Sequence, residues 1–212
     1  MSIILTKKQE EGLKIVNNIW PMLVVFIVAI SLIRFFYLRN HRERFCFYKE
    51  FCYLLSIIYI WLLFEILTMT ELNGASGMNL IPFSEILRYK LGTKMFYYNV
   101  VGNIIIFIPF GYLTSIYVKP KKIWPILITT LITSALVEFV QLRIGRSFDI
   151  DDILLNVVGS IIGYLLFIAL SAINKKLPDF LKSDFIYNLL CIVLTILFGI
   201  YVLGYWGVIF NV

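Results

Sequence analysis

Six polar residues between Glu138 and Asn156 stand out in an otherwise oily stretch: Glu138, Gln141, Arg146, Asp149, Asp152 and Asn156. Glu138 and Gln141 are three apart, which places them on one face of a helix. Asp152 and Asn156 are four apart, and with Gly159 and Gly163 they form one narrow stripe at about 100° per residue. Carboxylates on neighbouring membrane helices suit acid–base chemistry when burial raises a pKa, and Glu138 and Asp152 are the candidates for that role. Arg146 offers a planar fork to a phosphate. Asp149 and Asp152 offer hard oxygen ligands to a divalent cation. The same set could instead bind a polar head group without transforming it. Each member also has a bland reading. Asp149 suits a helix N-cap with Asp151 and Asp152 in the first turn, Glu138 with Gln141 suits interhelical hydrogen bonding, and the glycines suit close helix packing.

These residues need elements to hold them, and composition says which kind. Of 212 residues, 60% are hydrophobic and 15% charged, against about 25% charged in soluble domains. The apolar residues fall in long blocks, and six blocks approach the roughly 20 residues that a spanning helix needs: residues 19–38, 51–69, 99–118, 123–142, 153–173 and 188–210. The expected fold is therefore all-α, a polytopic membrane helical bundle of about six spans. Pro21 sits in the first turn of its block, where proline is tolerated. Pro109 inside the third block should kink it. Arg34, near the end of the first block, can snorkel. Trp20, Trp61, Trp124 and Trp206 lie in or beside these blocks, and three of them fall near a segment end, as interfacial belts favour. The first block has no small-x-small cleavage site after it and reads as a retained anchor.

The net charge of +6 reflects Lys and Arg in short loops, as insertion favours, and no basic–aromatic platform points to nucleic acid. Cys46, Cys52 and Cys191 form no CxxC pair, so no disulfide framework is expected. His41 stands alone in a basic loop and is read as solvated. No resident metal or cofactor is expected.

Two connections are unusual. Residues 70–98 form the longest, with a turn-rich stretch at 73–77, the run Met78-Asn79-Leu80-Ile81-Pro82-Phe83, and a helical pattern from Ser84 to Leu91 that reads as interfacial or re-entrant. Residues 143–152 are short and highly charged. With six spans the two connections emerge on one side. The opposite loops carry ten basic residues on shorter segments against eight, which places the special connections outward. Asn99 and Asn103 share a face in the third block, near Gly102 and Gly111. Packing the third, fourth and fifth helices with their polar stripes inward makes a pocket of Asn99, Asn103, Glu138, Gln141, Asp152 and Asn156. Arg143, Arg146 and Asp149 would cover it, and the Asn79–Phe83 stretch could cap it. Its buried carboxylates need cationic or hydrogen-bonding partners.

Three blocks resemble the VanZ-like family: Asn79-Leu80-Ile81-Pro82-Phe83; Gly102-Asn103-Ile104-Ile105-Ile106-Phe107-Ile108-Pro109-Phe110-Gly111; and Glu138-x-x-Gln141 followed by Arg146, Asp149, Asp152, Asn156, Gly159 and Gly163. The resemblance covers residues 78–167. It implies a multi-pass protein of a bacterial cell membrane, often Gram-positive, associated with resistance to teicoplanin. The positions it carries over are Asn79, Pro82, Phe83, Asn103, Pro109, Gly111, Glu138, Gln141, Arg146, Asp149, Asp152, Asn156 and Gly159. The expected organisation is a two-helix hairpin over 1–69 and a loop with a last helix over 174–212, both outside the matching blocks, flanking a VanZ-like membrane domain over 70–173.

Three functions follow as expectations. The first is a cell-envelope protein that lowers glycopeptide susceptibility. Its binding residues would be Asn79, Asn103, Glu138, Gln141, Arg146, Asp149, Asp152 and Asn156, and its partners membrane lipids, a lipid-linked cell-wall precursor or the glycopeptide itself. The second is a membrane enzyme on a lipid-linked substrate, with Glu138 and Asp152 as acid–base or metal-binding groups. The third is a small transporter, for which paired broken helices in two repeated halves are lacking. Oligomeric state is open.

Overall fold

The computed structural model describes residues 7–42, 44–68 and 77–210, with side chains over 24–42, 44–63, 65 and 77–200. Residues 69–76, with most of the expected turn, and the side chains of Trp20, Pro21 and Trp206 lie outside the described residues. The described chain is helical apart from one two-residue strand pair. In order it runs α1 (Lys7–His41), α2 (Phe47–Thr68), β1 (Met78–Asn79), α3 (Ser84–Arg88), α4 (Lys94–Phe96), a π turn (Tyr97–Val101), α5 (Gly102–Val118), α6 (Trp124–Arg143), β2 (Phe148–Asp149), α7 (Ile150–Lys176), a 3₁₀ turn (Asp179–Lys182) and α8 (Asp184–Phe210).

Among the described residues, four helices are long and apolar enough to cross a membrane: Val24–His41, Lys94–Val118, Trp124–Arg143 and Ile150–Lys176. The expected spans at 51–69 and 188–210 coincide with α2 and α8, parts of whose side chains lie outside the described residues. His41 is the last residue of α1, not part of a loop, and its Nδ1 lies 3.0 Å from the Tyr37 carbonyl. Cys46, Cys52 and Cys191 are free thiols.

The chain divides into two compact units, residues 1–58 with 183–212, and residues 59–182. Polar contacts knit the first. Arg34 grips Glu50 with both prongs of its fork, Nε to Oε2 at 2.7 Å and Nη2 to Oε1 at 3.2 Å. The Tyr48 backbone N–H donates to Asn188 Oδ1 at 2.9 Å.

The second unit is built on the packing of α5 against α7. A Cβ built on Gly111 would collide with the backbone of Ser160, one on Gly159 with the carbonyl of Ile104, and one on Gly163 with the carbonyl of Ile108. Only a hydrogen at these three positions lets the backbones come this near. Ile104 faces Gly159 and Ile108 faces Gly163, so both helices advance in the same direction, and α6 returns between them in the chain. Leu63, Phe107 and Val137 form the buried apolar core, with Tyr59, Ile106 and Phe110 packed against it. Pro109 lies inside α5 without ending it. It has no N–H to give the carbonyl four residues back, and one position along, Tyr59 donates its hydroxyl to the Ile106 carbonyl at 2.6 Å.

Because the atoms facing Gly111 are backbone, they cannot swing aside. Gly111→Ala is expected to cost about 1–3 kcal/mol, the usual range for overpacking, in reversible unfolding in mixed micelles. Gly199→Ala meets nothing within 4 Å and should be neutral or slightly stabilising, because Ala is the better helix former. Equal behaviour of the two variants would contradict the close-packed interface.

Candidate functional site

The N-terminal ends of α5 and α7 and the C-terminal end of α6 meet where the two unusual connections come together. β1 and β2 pair in parallel there, Met78 opposite Phe148 and Asn79 opposite Asp149. Helix α6 ends in a Schellman motif. Arg146 N–H donates to the Gln141 carbonyl at 2.9 Å and Gly145 N–H to the Leu142 carbonyl at 3.3 Å, with Gly145 at φ 87°. That left-handed position favours glycine, and it turns the chain so that Arg146 lands on the wall of a cavity.

The cavity holds about 430 Å³ and takes its walls from α3, the π turn, the α6–β2 connection and the start of α7. Glu85, Arg88, Tyr89, Asn99, Arg146 and Asp152 are among its polar lining residues, with Asp149 and Ser147 beside them. The π turn, closed by the Gly102 N–H on the Tyr97 carbonyl, inserts one extra residue just before α5 and brings Asn99 and Val100 to the cavity. Such bulges are frequent at functional sites.

Asp149 is the hub. It is the N-cap of α7, accepting the Asp151 N–H at 2.9 Å. Asn79 Nδ2 donates to the same oxygen at 3.1 Å, and the Asp149 N–H donates to Glu138 Oε2 at 2.8 Å. Asn79 is held in turn, its Oδ1 accepting from the Ser84 hydroxyl at 2.9 Å and the Ile81 N–H at 3.3 Å. Asp152 accepts a short hydrogen bond from Asn103 Nδ2. Deeper in the bundle, Asn156 Nδ2 donates to the Ser134 hydroxyl at 2.8 Å.

Of the binding candidates read from the sequence, Arg146, Asp149 and Asp152 line the cavity. Asn79, Glu138 and Asn103 bond directly to Asp149 or Asp152. Glu138 is only 1% exposed and lies within electrostatic reach of Asp152 and Arg146. Gln141 and Asn156 are buried and do not line the cavity. Arg143, expected as a cover, is instead exposed, with its guanidinium 5.1 Å from the centre of the Phe139 ring. One helical position past Leu142, its side chain leaves the polar face. Asp149 is the helix N-cap that its spacing suggested, and it also lines the cavity. Among the described residues no three His, Cys, Asp or Glu side chains group to hold a metal ion.

The sequence reading passed over Asp151, treating it as a first-turn acid. Asp151 is 1% exposed, and its carboxylate accepts three backbone N–H groups, from Phe83 at 2.5 Å, Glu85 at 2.8 Å and Ile86 at 3.2 Å. It therefore caps α3, a helix whose own start has no side-chain cap and whose preceding Phe83 sits at φ 68°. A bulky residue in that conformation costs about 1–3 kcal/mol and persists where its surroundings over-determine it. The available signal was an amphipathic segment beginning Pro82-Phe83 with no capping residue ahead of it, and hence a cap to be found elsewhere. Glu85, Arg88 and Tyr89 were likewise missed as wall residues.

Burial pushes the Asp149 carboxyl above the usual aspartate range, against the opposing pull of the Asp151 N–H, and the nearby Asp151 and Glu85 charges push it further up. Burial also raises Tyr89, with Glu85 adding to the effect.

These features class the chain as a helical membrane protein with a carboxylate-rich recess at one end of its central helices. The sequence model of the VanZ/LLP1 family matches residues 50–174, more than half of the chain, and the chain belongs to that family. It is similar to Protein VanZ of Enterococcus faecium, with 28% identity over 154 residues, 70% of this chain and 87% of that protein. No solved structure gives a significant match.

Asp151→Ala is expected to speed hydrogen exchange at residues 83–89 by at least tenfold, since three charge-assisted bonds are lost at about 1.5–3 kcal/mol apiece before relaxation, while α5 and α7 stay protected. Asp151→Asn should fall between. Uniform protection in all three proteins would remove Asp151 as the cap of α3. A carboxyl whose folded pKa is raised binds its proton more tightly folded than unfolded. Stability therefore falls as pH rises from about 3.9, the ordinary aspartate value, up through the raised value of Asp149, and it is flat above. Asp149→Asn should flatten that slope in a melting series, and an unchanged slope would assign it to another group.

Proposed function

We propose that this chain is a multi-pass protein of the bacterial cell membrane whose recess binds the polar head group of a lipid or a lipid-linked cell-wall component, and that this occupancy lowers susceptibility to teicoplanin-type lipoglycopeptides. The observation that carries the reading is the 430 Å³ cavity at the ends of three apolar helices, lined by Asp149 and Asp152 and by Arg88 and Arg146. Positioned carboxylates and guanidinium groups in one recess suit a head group that carries both hydrogen-bond donors and a phosphate. Asp151 is already saturated by backbone donors, and Glu138 is engaged by the Asp149 N–H. Asp152, backed by Asn103, is the wall carboxylate best placed to receive a hydroxyl or ammonium. With six spans the denser basic loops lie on the opposite side, which supports an outward-facing recess.

Catalysis on a lipid-linked substrate is the second reading. The geometry favours Asp152 for it over Glu138, which lies behind Asp149 and off the cavity wall.

Expression in a teicoplanin-susceptible Gram-positive host should raise the inhibitory concentration several-fold. Asp152→Asn and Arg146→Gln, at equal membrane abundance, should return it to the vector control. No rise with the unaltered chain at good abundance would end the resistance reading. Full resistance in both variants would end the role of the recess.

A further inference from the structure

The segment from Met78 to Leu91 has two chemically different sides. Glu85, Ile86, Arg88 and Tyr89 line the cavity. Ile81, Phe83, Leu87 and Leu91 point away from it and are 69%, 57%, 81% and 79% exposed. In water such a cluster would be costly, and a folded loop does not display it without a partner. The segment cannot turn these residues inward, because it is fixed at both the strand pair and α3. Asn79 is bonded to Asp149, and the backbone at Phe83, Glu85 and Ile86 is bonded to Asp151.

Its level is fixed as well. Asp149 and Asp151 bracket the start of the Ile150–Lys176 span, and the segment leads directly into the Lys94–Val118 span. The apolar rim therefore stands where two membrane-crossing helices end, which is the boundary between acyl chains and head groups. Lys90 and Lys94 add positive charge complementary to anionic lipid, as in helices that lie in an interface.

We propose that the rim formed by Ile81, Phe83, Leu87 and Leu91 is seated in the lipid leaflet, so that the cavity on its other side opens at head-group level. This rests on the head-group reading of the cavity and adds the route: a lipid-anchored ligand reaches Asp152 and Arg146 laterally, without leaving the leaflet. The rim holds the cavity wall against the membrane, and Asp151 holds the rim to the bundle.

The test is nitroxide depth measurement in vesicles of phosphatidylethanolamine and phosphatidylglycerol. Cys46, Cys52 and Cys191 are replaced by Ser, and single labels are placed by Ile81→Cys, Leu87→Cys and, on the exposed cavity edge, Ser147→Cys. Labels at 81 and 87 should be several-fold more accessible to lipid-dissolved oxygen than to a water-soluble nickel chelate, and the label at 147 the reverse. Nickel access at 81 and 87 equal to that at 147 would overturn the proposal. So would protection from both reagents with dipolar broadening between labelled copies, which would show a second copy covering the rim. The depth reading needs no ligand, so it can fail while the resistance assay succeeds, and the reverse.

Discussion

The site depends on the near contact of two backbones. Gly111, Gly159 and Gly163 let α5 and α7 touch without side chains between them, and that contact fixes the register of everything toward the N-terminal ends of both helices. With Ile104 against Gly159, Asn103 reaches Asp152. With α7 held in that register, Asp149 caps it at the height where Glu138 of α6 can accept its N–H. Shifting α7 by one residue would rotate Asp152 by about 100° off the shared face, and no local adjustment could recover the pairing.

Above this contact the protein solves a problem that any membrane bundle with many acids must face. Burying a carboxylate without partners costs several kcal/mol. Asp151 accepts three amides of a neighbouring segment, Glu138 one amide of the strand pair, and Asp149 an amide of its own helix start and Asn79. The donors are mostly backbone N–H groups and asparagine amides, which compensate charge without adding a fixed counter-ion. Arg88 and Arg146 stand on the cavity wall, Arg88 bonded there to the Glu85 carboxylate at 3.0 Å.

The helical class, the stripes on α6 and α7, and the convergence of Asn103, Glu138, Asp149 and Asp152 were legible because they depend on spacing along single helices, which periodicity reports directly. What escaped depends on the third dimension or on unusual backbone. The cap that Asp151 supplies to α3 joins residues 65–68 apart in sequence and leaves no periodic trace. The π turn shifts register by one residue at Tyr97–Val101, with a sequence, Tyr-Tyr-Asn-Val-Val, that reads as ordinary helix. Arg143 was assigned to the pocket by proximity in sequence alone, and the last turn of α6 carries it to the other face. Of the expected spans, four are matched among the described residues by helices that meet length and composition together.

The double duty of Asp149 has a consequence for interpreting any loss of function at this site. A variant that removes both its oxygen acceptors loses the α7 cap, the Asn79 tether and a wall charge together, and its effect cannot be apportioned among them, because residues in one network are not additive. Asp152 is different. It accepts from the side-chain amide of Asn103, is not the cap of a helix, and lines the cavity. An isosteric change there removes charge while leaving the strand pair, the cap of α3 and the α5–α7 contact in place. The chemistry of the recess is therefore best separated from its architecture at Asp152, one turn along the chain from Asp149.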